Sequence, residues 1–251
     1  MQGLKKQNKL IYVGLSLSSG IHAGIVDQYV KLLGPRKPAI NLNMRNSTLT
    51  KHAGEYLFKA ISSPEYYLTS LNLKFCYLSF EQLIALGNAL RFNKTLVKLN
   101  LSSNALKPCT ARFILDAMLD NICLSEVNFS SNFLDDEFAV DLAHVLEDNP
   151  VLYKVDIARN PIGPAGGQAL LTTLLMKNET LGSLGNLDEN VYMGVRLREE
   201  LRQVLHLNNI SSDKRNSHYR DQKEAAKKTF VVEREGDDPR VKREFGGHQK
   251  D

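Results

Sequence analysis

The side chains that carry out most enzymatic chemistry are present in this sequence, but they are scattered. Six histidines and three cysteines occur in 251 residues, and they do not combine into a zinc-ligand pattern. The motifs of a zinc protease, a serine hydrolase and a phosphate-binding glycine loop do not occur in the sequence either. The sequence therefore predicts a protein that is not an enzyme and that has no catalytic residue, no metal and no cofactor.

Asparagine recurs instead at a fixed interval. Asn72, Asn100 and Asn128 lie 28 residues apart, Asp156 continues the series, and Asn43 precedes it by 29 residues. Asparagine is depleted in β-strands generally, so a row of amides on neighbouring strands suggests a hydrogen-bonding track for a ligand. These residues are candidates for a binding surface.

An apolar frame surrounds each of these positions. In its clearest copy Leu96, Leu99, Leu101 and Leu106 are apolar, and Asn104 lies between the last two. The two-residue step predicts a short strand with one buried face, and the asparagine side chain turns the chain out of that strand. Further copies begin at Leu68, Leu124 and Leu152, weaker ones at Ala39 and Tyr12, and the pattern degrades after Leu181.

A strand frame with this period resembles the leucine-rich repeat, in the ribonuclease-inhibitor-like subclass with repeats of 28 or 29 residues. The resemblance covers roughly residues 10–208 and is clearest over 68–181. It implies an α/β solenoid of about six to seven repeats, with a parallel β-sheet on the concave face and α-helices on the convex face. Asparagine at the middle strand position is common in this subclass, so a structural explanation of the amide row stands beside the functional one.

Helical spacing of apolar residues predicts one outer helix after each strand. The predicted helices cover about 23–33, 53–61, 80–92, 110–121, 136–148 and 164–177. Four asparagines close the last four of them, and we expect each to form a left-handed C-terminal cap. They are Asn93, Asn121, Asn149 and Asn178.

The two ends of the array differ in sequence. Residues 191–207 predict an amphipathic helix that caps the C-terminal end of the repeat domain, which we place at 10–208. The first strand has no such cap, so we expect an atypical start, a partner that covers it, or a shortened product of a longer chain. Residues 1–9 and 209–251 are predicted to be a disordered N-terminus and a disordered charged tail. Within that tail Phe230–Val232 is either solvated or an anchor for a partner.

Side chains between the strand leucines point away from the core and define the candidate binding surface. The predicted partner-binding residues on the concave face are Asn43, Arg45, Asn72, Lys74, Lys98, Asn100, Glu126, Asn128, Lys154 and Asp156. A second set follows each strand and is predicted to form a buried structural ladder, made of Ser47, Cys76, Asn104, Asn132 and Asn160. We expect Cys76 to be a ladder residue rather than a redox thiol.

The composition limits the partners. A net charge of +4 and mixed signs along the strands argue against a nucleic-acid groove, and the sequence has no transmembrane stretch. Few cysteines, odd in number, fit a reducing compartment. We therefore expect a cytoplasmic scaffold or adaptor that binds protein partners, as a monomer or as a subunit of a hetero-complex, with a cytoskeletal or ciliary location as the more specific alternative. The alternatives are a regulator of a GTPase or other enzyme, and a structural component of cilia or the cytoskeleton.

Overall fold

A computed structural model describes residues 11–14, 40–64 and 66–211, together with 224, 225 and 227. The predicted helix over 23–33, the predicted N-terminus over 1–9 and almost all of the predicted tail therefore lie outside the described residues. Glu224, Ala225 and Lys227 have helical backbone.

In the part of the chain that the structure describes, six parallel strands form one sheet in chain order. They are β1 (Ile11–Gly14), β2 (Ile40–Asn43), β3 (Leu68–Asn72), β4 (Lys98–Asn100), β5 (Glu126–Asn128) and β6 (Lys154–Asp156). The register aligns equivalent frame positions, so Leu71 pairs with Leu99 and Leu99 with Val127. A single bridge from Lys154 to Ser183 begins a seventh repeat. The predicted α/β repeat architecture is confirmed.

One helix follows each strand from β2 onward. They are α1 (Lys51–Ser62), α2 (Phe80–Phe92), α3 (Pro108–Asp120), α4 (Asp136–Asp148) and α5 (Pro164–Met176). Each packs against the next helix along the chain. Their starts follow from local chemistry, because Ser79 and Gln82 form a capping box and Pro108 and Pro164 occupy first-turn positions where a missing N–H is harmless.

The core fills the space between the sheet and the helices. Leu99, Leu101 and Leu106 are each at most 2% exposed, as are Phe129 and Phe138, whose rings meet edge to face at 5.2 Å. Burying a side chain of this size contributes about 1.5–3 kcal/mol before conformational entropy is subtracted. Since these residues come from neighbouring repeats, each repeat depends on the one beside it.

The expectation of left-handed caps at the helix ends is wrong. The backbone of Asn93, Asn121 and Asn149 is extended, with φ of −70°, −86° and −77°, and α5 ends on Lys177 before Asn178 is reached. The asparagine side chain acts instead of the backbone. Asn93 Oδ1 accepts from the N–H of Thr95 and of Leu96, and its Nδ2 donates to Ile61 of the preceding helix.

This arrangement repeats along the helix ends. Nδ2 of Asn121 donates to Leu90 O at 2.6 Å, Nδ2 of Asn149 to Met118 O at 2.7 Å, and Nδ2 of Asn178 to Leu146 O at 2.8 Å. These four asparagines therefore connect each helix end to the preceding repeat, a role that a left-handed cap does not have.

The last helix, α6 (Val195–Ser211), begins and ends four residues later than the helix predicted at 191–207. A 3₁₀ turn at Val191–Met193 comes first, and Gly194 separates the two with a φ of +77°, which favours glycine. Leu201, Val204 and Leu205 face the repeat core. The helix extends three residues into the segment predicted as tail.

Candidate protein-binding surface

The sheet register places the predicted concave residues in three adjacent columns. In the first column Ser70 pairs with Lys98, Lys98 with Glu126 and Glu126 with Lys154. Lys98 Nζ lies 2.7 Å from Glu126 Oε1, and these side chains are 56% and 32% exposed. Lys154 is exposed as well. This column presents charges of both signs to solvent.

The middle column aligns Asn43, Asn72, Asn100, Asn128 and Asp156. In each of them a side-chain oxygen accepts a hydrogen bond from the backbone N–H two residues later, at 2.8–3.1 Å. This local bond turns the chain at the end of each strand. Asn128 Nδ2 also donates to Asp156 Oδ2 at 3.1 Å. The oxygens therefore have a structural role, while every one of these side chains remains half-buried and within reach of a ligand.

The third column changes in character along the array. Arg45 is exposed and Lys74 is half-buried, whereas Ser102 and Ala158 are 2% and 4% exposed. Ser102 Oγ donates to Asn100 Oδ1 at 2.7 Å. The long cationic side chains thus lie toward the N-terminal half of the array, and short side chains follow them.

Behind these columns the ladder residues are buried and connect the repeats. Asn132 Oδ1 accepts from the N–H of Asn104 and of Leu106, and its Nδ2 donates to Leu101 O and Phe129 O. Asn160 has the same pattern of contacts, and Asn104 differs only in that its oxygen accepts from the N–H of Cys76 and of Tyr77. Ser47 is buried at the equivalent position, 3% exposed.

The ladder continues one step beyond the predicted set. Asn190 is fully buried, and its Oδ1 accepts from Asn160 N at 3.0 Å. Sequence reasoning missed this residue because it follows Asn160 by 30 positions, after the 28-residue spacing has broken down.

Cys76 has a thiol where its neighbours in the ladder have an amide. Its Sγ donates to Met44 O at 3.1 Å, and the residue is 2% exposed. Burial raises the pKa of the Cys76 thiol to about 11, and backbone hydrogen bonds from Ser47 and Asn46 oppose that shift only in part. A thiol that stays protonated is a poor nucleophile, so the geometry fits a structural residue.

An open depression with a volume of about 360 Å³, which we call the rim cavity, lies where the strands leave the concave face. Its walls include Phe75, Tyr77 and Phe133, with Lys74 and Arg159 beside them. Tyr77 and Phe133 are 69% and 61% exposed. These aromatics are not among the predicted binding residues. They lie next to the buried ladder positions Cys76 and Asn132, and side chains beside a buried position point away from the core.

Comparison with known proteins gives three kinds of match: a family model, relatives by sequence and solved structures. The family model described as leucine-rich repeat matches residues 92–108 and 148–171. The mouse proteins named NACHT, LRR and PYD domains-containing protein 4E and 4C are 31% and 30% identical to this chain over 158 residues, which is 62% of the chain. These matches agree with the aligned repeats of the structure. The chain is a leucine-rich repeat protein. It spans 16% of the length of these two relatives.

Two solved structures share the fold of this leucine-rich repeat protein. The C-terminal domain of tropomodulin from Caenorhabditis elegans has a TM-score of 0.57 at 18% identity, covering 64% of this chain and 96% of that one. A structure named Leiomodin-1 Actin-Binding Site 2 has a TM-score of 0.54 at 19% identity, covering 69% and 96%.

Possible metal ligands and thiols are scattered over the described residues. Over 40–64 and 66–211, His, Cys, Asp and Glu side chains form no group of three that could hold a metal ion. Cys109 is exposed on the first turn of α3, Cys123 is half-buried, and both are free thiols. Among the described helices none has both the length and the apolar character needed to cross a membrane.

Proposed function

We propose that this leucine-rich repeat protein is a non-catalytic scaffold or adaptor that holds a protein partner against its concave face. The observation that carries the proposal is the first column, where Lys98, Glu126 and Lys154 stand side by side and reach solvent. Alternating charges of this kind select a partner with the complementary pattern and reject partners that place like charges opposite.

The neighbouring columns support the same surface. Half-buried amides beside a charged column offer hydrogen-bond donors at regular spacing, and the cavity at the rim adds aromatic area, which protein interfaces favour. The three free cysteines support a cytoplasmic site of action.

The proposal is tested with the full chain as bait for proximity labelling in cells that express it. Reversing two concave charges with Lys98→Glu and Lys154→Glu should remove specific proteins from the labelled set. The matched control reverses two exposed lysines of α1 on the helical face, with Lys51→Glu and Lys59→Glu, and should leave the set intact. An identical set for wild type and the concave variant would contradict the proposal.

Actin is the first defined protein to test, because the leiomodin structure is named as an actin-binding site. Sedimentation of the full chain with actin filaments, for wild type and for the concave variant, measures this directly. Binding that the concave substitutions abolish supports a cytoskeletal role. Absence of binding removes actin and leaves a scaffold for another protein.

A further inference from the structure

The rim cavity has the composition of an interface hot spot. Two of its aromatic residues, Tyr77 and Phe133, are 69% and 61% exposed and do not belong to the hydrophobic core. Aromatic residues in a concave site are the side chains that most often dominate the affinity of a protein interface. The cavity volume of about 360 Å³ is enough for one bulky side chain of a partner.

The backbone of this loop shows that the fold does not require the aromatics. Phe75 and Tyr77 both adopt the left-handed conformation, with φ of +57° and +48°, which is uncommon for bulky residues. At the place of Phe75 the preceding repeat has Asn46 and the following one has Ser103, both also left-handed. Small residues thus adopt the same backbone as Phe75, and Ala105 adopts that of Tyr77 one repeat later, so the fold does not require an aromatic side chain at either place.

The loop that presents the aromatics is held firmly. Asn104 Oδ1 accepts from the N–H of Cys76 at 3.0 Å and from the N–H of Tyr77 at 2.8 Å. Asn104, a ladder residue of the next repeat, therefore holds the backbone of Tyr77 in place. Side chains that are already positioned lose less entropy when a partner binds.

Two cationic residues, Lys74 and Arg159, are among those that line the cavity. Lys74 Nζ lies 5.4 Å from the centre of the Phe75 ring, and Arg159 reaches Glu189 through Nη2 at 2.8 Å. None of the residues that line the cavity is acidic. Electrostatic complementarity therefore favours a carboxylate next to the apolar group that enters the cavity.

We propose that the rim cavity binds a segment of a partner protein in which a bulky apolar side chain lies next to an aspartate or glutamate. The apolar side chain packs among Phe75, Tyr77 and Phe133, and the carboxylate pairs with Lys74, because Arg159 already pairs with Glu189. This inference rests on the proposed function, because it names the partner segment that the same face would hold.

The test uses a phage-displayed library of random twelve-residue peptides, selected on the full chain. We expect the selected peptides to be enriched in an aromatic or large aliphatic residue within two positions of Asp or Glu. One selected peptide, made synthetically, should bind at least about tenfold more weakly to Tyr77→Asn and to Phe133→Ser. Its affinity should fall as salt concentration rises.

Two controls separate binding from folding. Ala105, at the place of Tyr77 in the next repeat, is left-handed as well, and asparagine tolerates this conformation better than tyrosine, so Tyr77→Asn should melt at the wild-type temperature or above it. The double variant Phe92→Ser and Ile122→Ser removes exposed apolar side chains elsewhere, at 68% and 60% exposure, and should bind the peptide as wild type does.

Selected peptides without acidic residues, a selection without enrichment, or an unchanged affinity in Tyr77→Asn and Phe133→Ser would each overturn the inference. The outcome is independent of the concave charge reversal. If Lys98→Glu and Lys154→Glu abolish partner labelling while the rim variants bind normally, the proposed function stands and this inference fails.

Discussion

Two rows of asparagine lie four residues apart in the same repeats, yet they differ in what they contact. Asn132, in the ladder, is 5% exposed and bonds backbone groups of both its own and the preceding repeat through its oxygen and its nitrogen. Asn100, in the middle concave column, is half-buried and its oxygen bonds only Ser102, two residues away. Ladder asparagines connect neighbouring repeats, whereas the oxygen of each middle-column residue bonds within the turn of its own repeat.

The comparison shows that position, rather than residue type, decides the role of an amide in this solenoid. A buried amide that satisfies several backbone groups cannot be replaced without leaving some of them unpaired. When an accessible amide is removed, water can take over its hydrogen bonds at a low cost in folding free energy. Residues at such positions can therefore vary with the binding partner. Four changes test this difference, in order of the expected loss of stability.

Asn132→Ala should have the largest effect. It leaves the buried N–H groups of Asn104 and Leu106 without their acceptor, at about 1–3 kcal/mol for each unpaired group. We expect the free energy of unfolding to fall by about 3–5 kcal/mol in urea denaturation. A loss below about 1 kcal/mol would show that the ladder does not stabilise the stack.

Cys76 tests the ladder position at which a thiol replaces the amide. Because burial raises the pKa of Cys76 to about 11 from an ordinary value of 9.0, the unfolded chain loses the thiol proton first. Stability from the protonated thiol is complete below pH 9 and is lost as the pH rises toward 11, by about 2–3 kcal/mol. Urea denaturation of wild type and Cys76→Ala at pH 8.5 and 10.5 measures this. Parallel losses in the two proteins would exclude a buried neutral thiol.

Asn100→Ala should be much milder than Asn132→Ala. It removes the acceptor of Ser102 N and Oγ, and water can reach the site, so we expect a loss of about 0.5–1.5 kcal/mol. The circular dichroism spectrum should remain that of wild type while partner labelling decreases. A loss of stability equal to that of Asn132→Ala would remove the distinction between the two rows.

Lys98→Ala should affect stability least. Both partners of its ion pair with Glu126 are partly exposed, so the pair contributes below about 1 kcal/mol. The effect on binding should be larger than the effect on melting temperature. If the melting temperature fell as far as in Asn100→Ala while partner labelling stayed unchanged, Lys98 would stabilise the fold and would not bind a partner.

The sequence predicts the repeated part of this molecule well, since the strand frame fixes which face each residue takes. Helix bounds agree within two residues from α1 to α5 because apolar spacing and proline mark them. The end of the array was harder to predict, as Gly194 interrupts the helical pattern and Asn190 lies outside the 28-residue spacing. Local rules tie an asparagine at a helix end to a backbone cap, but at Asn93 a contact 32 residues away replaces the cap.

The rim cavity could not be predicted from the frame alone. The cavity combines Phe75 and Tyr77 of one repeat with Phe133, which lies two repeats later. Only the stacking of the repeats and the left-handed turns of the loops bring these side chains together. The concave columns can be predicted from the sequence, because the two-residue period of a strand assigns each residue to a face. Their role in binding stays a prediction.

The central claim is that partners contact the sheet face and not the helical face. A photo-crosslinking amino acid placed at Lys154 of β6, or at the exposed Asp116 of α3, tests this claim most directly in cells that express the full chain. We predict a discrete covalent adduct with another protein from position 154 and none from position 116. Adducts from position 116 alone, or the same adducts from both positions, would contradict it.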